Sequence, residues 1–319
     1  MHPSLRIIAP GLVAGLFAAC FDFDATMAGG PLDDAGSDAR VDASVSDGSL
    51  PPPGDASKEA ADGGEAGPVE AGPTPDSGGP YCASRVRPEG GLFFCDDFDE
   101  HGLPGSWQTW GEMGGTIVET DASAVSPPNS VDQTTMALVS GQVINVALRT
   151  PMPVPAVPAT LHLEFSVEPV RIDPTANAAI VLGAVDFLDG AGYRYTVGLS
   201  INVVSGAPAL ALGEQYGLAN GGDFPDGAPP TFVNHPLPPT QPLGMNAWTD
   251  VVVELDWTTT NLEGKVTVGG NQELDVPLTM SLVPTSLQIG VGTSFVTEYE
   301  GGLSPVWEFR YDNVLFTAN

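Results

Sequence analysis

Cations are what this chain lacks most. Ten of its 319 residues are Lys or Arg, against forty Asp or Glu, for a formal net charge of −30. Lysine is nearly absent, present only at Lys58 and Lys265. No basic patch exists to neutralise phosphates, so nucleic acid is not an expected partner. Histidine is scarce, at positions 2, 101, 162 and 235, and no two of these have metal-ligand spacing. Neither a Gly-x-Ser-x-Gly elbow nor a phosphate-binding glycine loop occurs. No window holds a 3.6-residue apolar period over three turns, which argues against helical architectures. Long apolar runs are missing too. Residues 7–19 form the one greasy stretch, broken by Pro10, Gly11 and Gly15. It is too short to span a bilayer as a mature helix and has the length of a signal-peptide core.

What is present divides into three parts. Arg6 precedes the apolar stretch, and Leu16-Phe17-Ala18-Ala19-Cys20 closes it. This closing run resembles the lipobox of bacterial lipoproteins, although Phe17 departs from the preferred Leu. The resemblance implies a signal peptide over residues 1–19 and a diacylglycerol thioether on Cys20, the new N-terminus. Several acyl chains on one residue give stable anchoring, at roughly 0.8 kcal/mol per buried CH₂. The other reading is ordinary secretion, with cleavage after Ala19 or near residues 25–28. Phe21 rather than Asp follows Cys20, which favours the outer membrane over inner-membrane retention. Residues 20–80 are rich in Ala, Asp, Gly and Pro. They carry thirteen Asp or Glu against Arg40 and Lys58, and no aromatic after Phe23. Such a segment cannot bury enough apolar surface to offset its chain entropy, so a disordered acidic tether is expected.

Residues 81–319 are long enough for one large domain with its own core. Strand patterns fill it. Leu161, Leu163, Phe165 and Val167 alternate with His162, Glu164, Ser166 and Glu168. Val251, Val253, Leu255 and Trp257 alternate with Val252, Glu254 and Asp256, and Trp307, Phe309 and Tyr311 open a last strand. Residues 92–98 read as a first strand and its exit. Residues 131–139 and 143–149 read as a hairpin about Ser140-Gly141, and residues 179–187 and 193–204 as another pair. Residues 209–212 read as a short strand, and 219–246 as a long Gly- and Pro-rich loop. Many strands without crossover helices predict an all-β, antiparallel sandwich. Cys82 and Cys95 remain after Cys20; an exported compartment lets them pair, and two buried free thiols are the alternative.

Several local patterns together resemble the concanavalin A-like lectin/glucanase superfamily, in its laminin G-like jelly-roll form. They are Phe94-Cys95-Asp96-Asp97-Phe98-Asp99, Trp107, Ser126-Pro127-Pro128-Asn129-Ser130, Gly192-Tyr193, the strand Trp248 to Leu255 with Gly264-Lys265-Val266, and Tyr311-Asp312-Asn313-Val314. The likeness runs over most of residues 91–317 and implies adjacent first and last strands. Members include lectins, glycan-binding modules, hydrolases and lyases, so fold alone does not choose.

Hydrolases of this superfamily carry Glu-x-Asp-x-x-Glu on one strand. Here Glu254-Leu255-Asp256 begins that pattern, but Thr259 replaces the second Glu. The expectation is therefore a protein that is not an enzyme. Asp97 and Asp99 near the first strand and Asp312 in the last are candidate ligands for a structural Ca²⁺; turn and capping carboxylates are the alternative. Trp257 and Trp307 read as core, whereas Trp110 and Tyr216 are candidate sugar-stacking rings. The function expected is a membrane-tethered module that binds polysaccharide at the cell envelope. The alternatives are a structural envelope lipoprotein with a protein partner and a divergent glycoside hydrolase or lyase.

Overall fold

The structure is a computed structural model. It describes residues 80–319 except 100–101, 108, 138–142, 154–158, 173–177, 205–206, 219–230, 239–242, 258–261, 280–282 and 297–305. The expected signal peptide, Cys20 and the tether up to residue 79 lie outside the described residues.

Fifteen strands form two antiparallel sheets. One holds β13 (Asn271–Pro277), β12 (Glu263–Val268), β11 (Thr249–Asp256), β6 (Thr160–Arg171), β15 (Glu308–Ala318), β4 (Ser130–Thr135) and β3 (Gly115–Thr120), in that order. Its eighth strand, β1 (Leu92–Asp96), also pairs with β15, with Leu92 opposite Ala318. First and last strands are thus neighbours, as expected. The other sheet runs β10 (Thr231–Pro236), β9 (Ala207–Leu218), β8 (Tyr193–Val204), β7 (Ala178–Leu188), β14 (Ser286–Val296), β5 (Val143–Pro153) and β2 (Thr109–Met113). The all-β antiparallel sandwich read from alternation is what forms.

Period two builds the interior. Leu161, Leu163 and Phe165 of β6 face inward beside their register partners Leu255, Val253 and Val251 of β11. From the other sheet come Tyr195, Val197, Leu199 and Ile201 of β8 and Leu287, Ile289 and Val291 of β14. Each such side chain contributes roughly 1.5–3 kcal/mol on full burial. Gly183 of β7 marks one close approach between the sheets, since a Cβ there would lie 2.6 Å from the Phe165 ring.

One polar clasp also crosses the interior. The register of β14 against β7 breaks between Val291 and Ser294, and Gly292 adopts φ 134° there. Gln133 of β4 reaches across to this irregularity. Its Oε1 accepts from the Thr293 N–H at 3.1 Å, and its Nε2 donates to the Val291 carbonyl at 3.5 Å. A buried amide group left without a ladder partner is thereby satisfied.

Three local expectations are corrected. Strands β4 and β5 are not a hairpin: β4 pairs with β3 and β15, whereas β5 pairs with β14 and β2. The chain crosses between sheets, and inward alternation looks the same in a crossing and a hairpin. The short strand at 209–212 is a twelve-residue strand, β9. Gly213, Glu214 and Gly217 blur its apolar pattern. Glu214 is tolerated inside because it is saturated: it accepts from Tyr195 OH, from His235 Nε2 at 2.6 Å, and from the Thr279 N–H and hydroxyl at 2.7 and 2.8 Å. Last, the expected long loop at 219–246 contains β10, whose His235 reaches that same carboxylate.

The leading segment is stapled to the eight-stranded sheet. Cys82 and Cys95 form a disulfide that packs with Tyr81, Phe93 and Leu315 in a second, small apolar cluster. Tyr81 OH donates to Glu164 at 3.0 Å, and Arg85 Nη2 donates to the same carboxylate at 2.9 Å.

Replacing Gly183 by Ala should test how tightly the two sheets close. The added methyl must displace the Phe165 ring, and overpacking of this kind costs about 1–3 kcal/mol. A Gly183→Ala variant with unchanged denaturation midpoint would refute this description of the interface.

Candidate functional site

Strands that bury one face must show the other. On β8 the residues alternating with the core set are Arg194, Thr196, Gly198, Ser200 and Asn202. Register brings matching residues alongside: Asp186 and Ala184 on β7, Gln215, Gly213 and Ala211 on β9, Gln288 and Gly290 on β14, and Arg149 and Asn145 on β5. From β5 to β9 this face spans about 19 Å, and from Thr196 to Asn202 about 20 Å along the strand. Its floor is small residues, its functional groups are amides, guanidiniums, hydroxyls and one carboxylate.

The face is polar yet shielded. Arg149, Asp186, Arg194 and Gln215 are each no more than 5% exposed, and Thr196 and Ser200 are fully buried. A core face would be apolar, and a solvated face would be open; this one is neither. Its internal bonds hold the groups in place. Arg149 Nη2 donates to Asn145 Oδ1 at 2.9 Å, Thr196 donates its hydroxyl hydrogen to Asp186, and Ser200 donates to the Ala211 carbonyl at 3.3 Å. Gln215 Oε1 and Asn202 Oδ1 have no donor among the described residues. Asp186 is the single carboxylate of this face among the described residues, so the pair of acids needed for glycoside hydrolysis is not assembled from them.

The residues singled out in the sequence lie elsewhere. Tyr216 belongs to β9, not to a loop; it is half-buried against the core edge and stacks on Tyr193 at 5.9 Å between ring centroids. Trp110 lies in β2 opposite Leu148, and its side chain is outside the described residues. Trp307 is core, as read, Trp107 is core too, and Trp257 packs edge-on against Phe187. Glu254 and Asp256 sit on the outward side of the eight-stranded sheet, away from the polar face.

The candidate calcium ligands are engaged by backbone. Asp97 accepts from the Cys82 N–H at 3.2 Å and Asp99 from the Asn129 N–H at 2.9 Å. Asp312 accepts from the Val125, Ser126 and Asn313 N–H groups and from the Ser126 hydroxyl. Among the described residues no three His, Cys, Asp or Glu side chains come together as a metal cage. Asp97, Asp99 and Asp312 thus serve as turn and cap acceptors among the described residues.

Comparison with known proteins follows from this geometry. No family model matches the chain, and no curated protein does. Its shape is similar to solved jelly-roll sandwiches. One is the alginate lyase vAL-1 from a Chlorella virus, at 13% identity, TM-score 0.45, over 67% of this chain and 94% of that one. Another is the endo-1,3-beta-glucanase of Streptomyces sioyaensis, at 16% identity, TM-score 0.43, over 74% and 99%. A third is peanut lectin, at 15% identity, TM-score 0.37, over 72% and 97%. Likeness at this level concerns the fold alone. The expectation that the chain is not an enzyme is corrected to this extent: two of these three sandwiches are enzymes by name.

Asp312 gives this region a pH signature. Burial pushes its carboxyl up from 3.8 to about 6, against the pull of its four donors. A carboxyl with a raised folded pKa stabilises the fold fully below its unfolded value, and that contribution fades as pH rises through about 6. It amounts to roughly 3 kcal/mol between pH 7 and pH 4. Wild-type stability minus that of Asp312→Asn, followed by urea titration, should grow over this window as pH falls. A flat difference would contradict the raised value.

Proposed function

We propose that the polar face of the seven-stranded sheet is the floor of a polysaccharide site, and that the protein is an exported, carbohydrate-directed lipoprotein. The observation that carries the reading is the buried polar layer with two undonated acceptors. An unsatisfied buried carbonyl costs about 1–3 kcal/mol. Sugar hydroxyls are suited to remove that cost, since each gives and takes a hydrogen bond. Planar groups such as Arg149, Gln215 and Gln288 can bracket adjacent hydroxyls, and the small residues beneath them let a chain lie close. The jelly-roll shape is in keeping with such ligands, although it does not choose among them.

The address is proposed from the sequence: lipid on Cys20, an acidic tether over residues 20–80, and the outer membrane as destination. A chain of sixty residues at ~5–6 Å × √n would hold the domain about 40–45 Å from its anchor. Cys20→Ala should move the protein from the detergent-extracted membrane fraction to the soluble fraction, and unchanged partitioning would defeat the anchor.

The site is tested with the full chain by affinity electrophoresis in gels containing laminarin, mixed-linkage glucan or alginate, together with an assay for released sugar ends. Retardation or product is expected with at least one polymer, and Arg149→Ala should weaken it about tenfold or more. Absence of both across all three polymers, or an unaffected Arg149→Ala variant, would overturn the assignment.

A further inference from the structure

The outward side of the eight-stranded sheet carries a cavity of about 530 Å³. That is within the 300–1,000 Å³ of small-ligand sites. Its floor is β6, β11, β12 and β15, and the stapled leading segment supplies a wall through Arg85 and Val86. The groups that matter are Arg85, His162, Glu164, Glu254, Asp256 and Lys265. It lies on the opposite side of the sandwich from the polar face described above.

Lys265 is the lysine that makes this cavity unusual. It is the only lysine after position 58. Its cross-strand neighbours are Glu254 on β11 and Asp275 on β13, yet its ammonium has no ion-pair or hydrogen-bond partner among the described residues. A second group is also incompletely used: Arg85 Nη2 is bonded to Glu164, but its buried Nε has no acceptor. Between them His162 bridges two acids, with Nε2 3.2 Å from Glu164 Oε2 and Nδ1 3.5 Å from Glu254 Oε1. Burial works against a charged imidazole there, but the two carboxylates outweigh it and raise its pKa.

Charge decides what such a lining accepts. An anion would meet Lys265 but also Glu164, Glu254 and Asp256, on a chain with an excess of thirty negative charges. A cation would meet Arg85, Lys265 and the His162 ring. A neutral ligand rich in hydroxyls meets no opposition, because it donates to the carboxylates and accepts from the ammonium together. We propose that this cavity is a second, independent saccharide site, for one or two neutral sugar units; it rests on the carbohydrate reading and extends it to the other face of the domain.

The scarcity of lysine supplies the probe. Reductive ¹³C-methylation of the full chain labels Lys58, Lys265 and any free α-amino terminus, whose signal is told apart by its lower pKa, and keeps the lysine charges. On titration with cellobiose, maltose and lactose, the Lys265 methyl signal should move with at least one sugar while Lys58 stays still. Glucosamine and glucuronate should give smaller shifts at equal concentration. Glu254→Gln and Asp256→Asn should each weaken the response about tenfold, with melting curves showing that both variants fold, whereas Arg149→Ala should leave it unchanged. A Lys265 signal unmoved by all three neutral sugars, moved more by either charged sugar, or indifferent to both acid substitutions would overturn the proposal. Gel retardation lost in Arg149→Ala but kept in Glu254→Gln would leave the polar face standing, so the two sites fail separately.

Discussion

Everything in this domain depends on two sheets sharing one apolar layer, and one tight point of that layer is Phe165 lying over Gly183. Strands of β6 and β11 deliver large residues to the interior; β7 answers with glycine where the ring needs room. Because each sheet spends one face on this contact, each has one face left. The two spare faces then diverge in chemistry. That of the seven-stranded sheet is polar and shielded, and that of the eight-stranded sheet is strongly acidic and stapled to the leading segment.

Several polar groups inside the sandwich follow one rule: each is matched to an irregularity or to a set of donors. Gln133 sits where β14 breaks register, and its amide serves both backbone groups left over. Glu214 is accepted inside by three residues from three different segments, so removing any one leaves a buried charge partly unsatisfied. Asp312 follows the same rule less completely, since burial still lifts its pKa despite four donors. Gln215 Oε1 and Asn202 Oδ1 have no donor among the described residues, and in the core Trp107 Nε1 and Tyr311 OH likewise have no partner there. The first two lie on the spare face.

Much of the architecture was legible because alternation survives translation into structure. β6, β11 and the start of β15 are the strands with the cleanest period of two, and all three lie in the middle of one sheet with their apolar residues inward. The pairing of first and last strands followed from the family resemblance. What failed was connection and completeness. The Ser140-Gly141 signal suggested a local reversal, but a strand that changes sheet leaves the same inward pattern, so β4 and β5 could not be separated by periodicity. β9 was cut short because Glu214 looks like a solvent-facing residue until its three partners are known. The polar face stayed hidden for a related reason. Arg149, Asp186 and Arg194 are residue types expected on the surface, and nothing in their spacing reveals that they converge from three strands in a shielded layer.

The cavity on the other face shows what rarity can signal when spacing does not. Arginine and lysine in most chains are too numerous for any one to be informative, and an exposed lysine is ordinarily a solvated charge of little consequence. Here the acidic excess reverses that weighting. With carboxylates on both neighbouring strands, the easy arrangement for Lys265 is a close pair with Glu254 or Asp275, and it makes neither. Its ammonium instead borders a cavity whose remaining groups are two acids on β11, a bridged imidazole and a guanidinium with one idle donor. A lining balanced in this way selects against net charge of either sign and in favour of groups that donate and accept at once. Hydroxyl-rich neutral molecules are the class that satisfies both demands, which is why the same chemistry is argued for both faces from different residues.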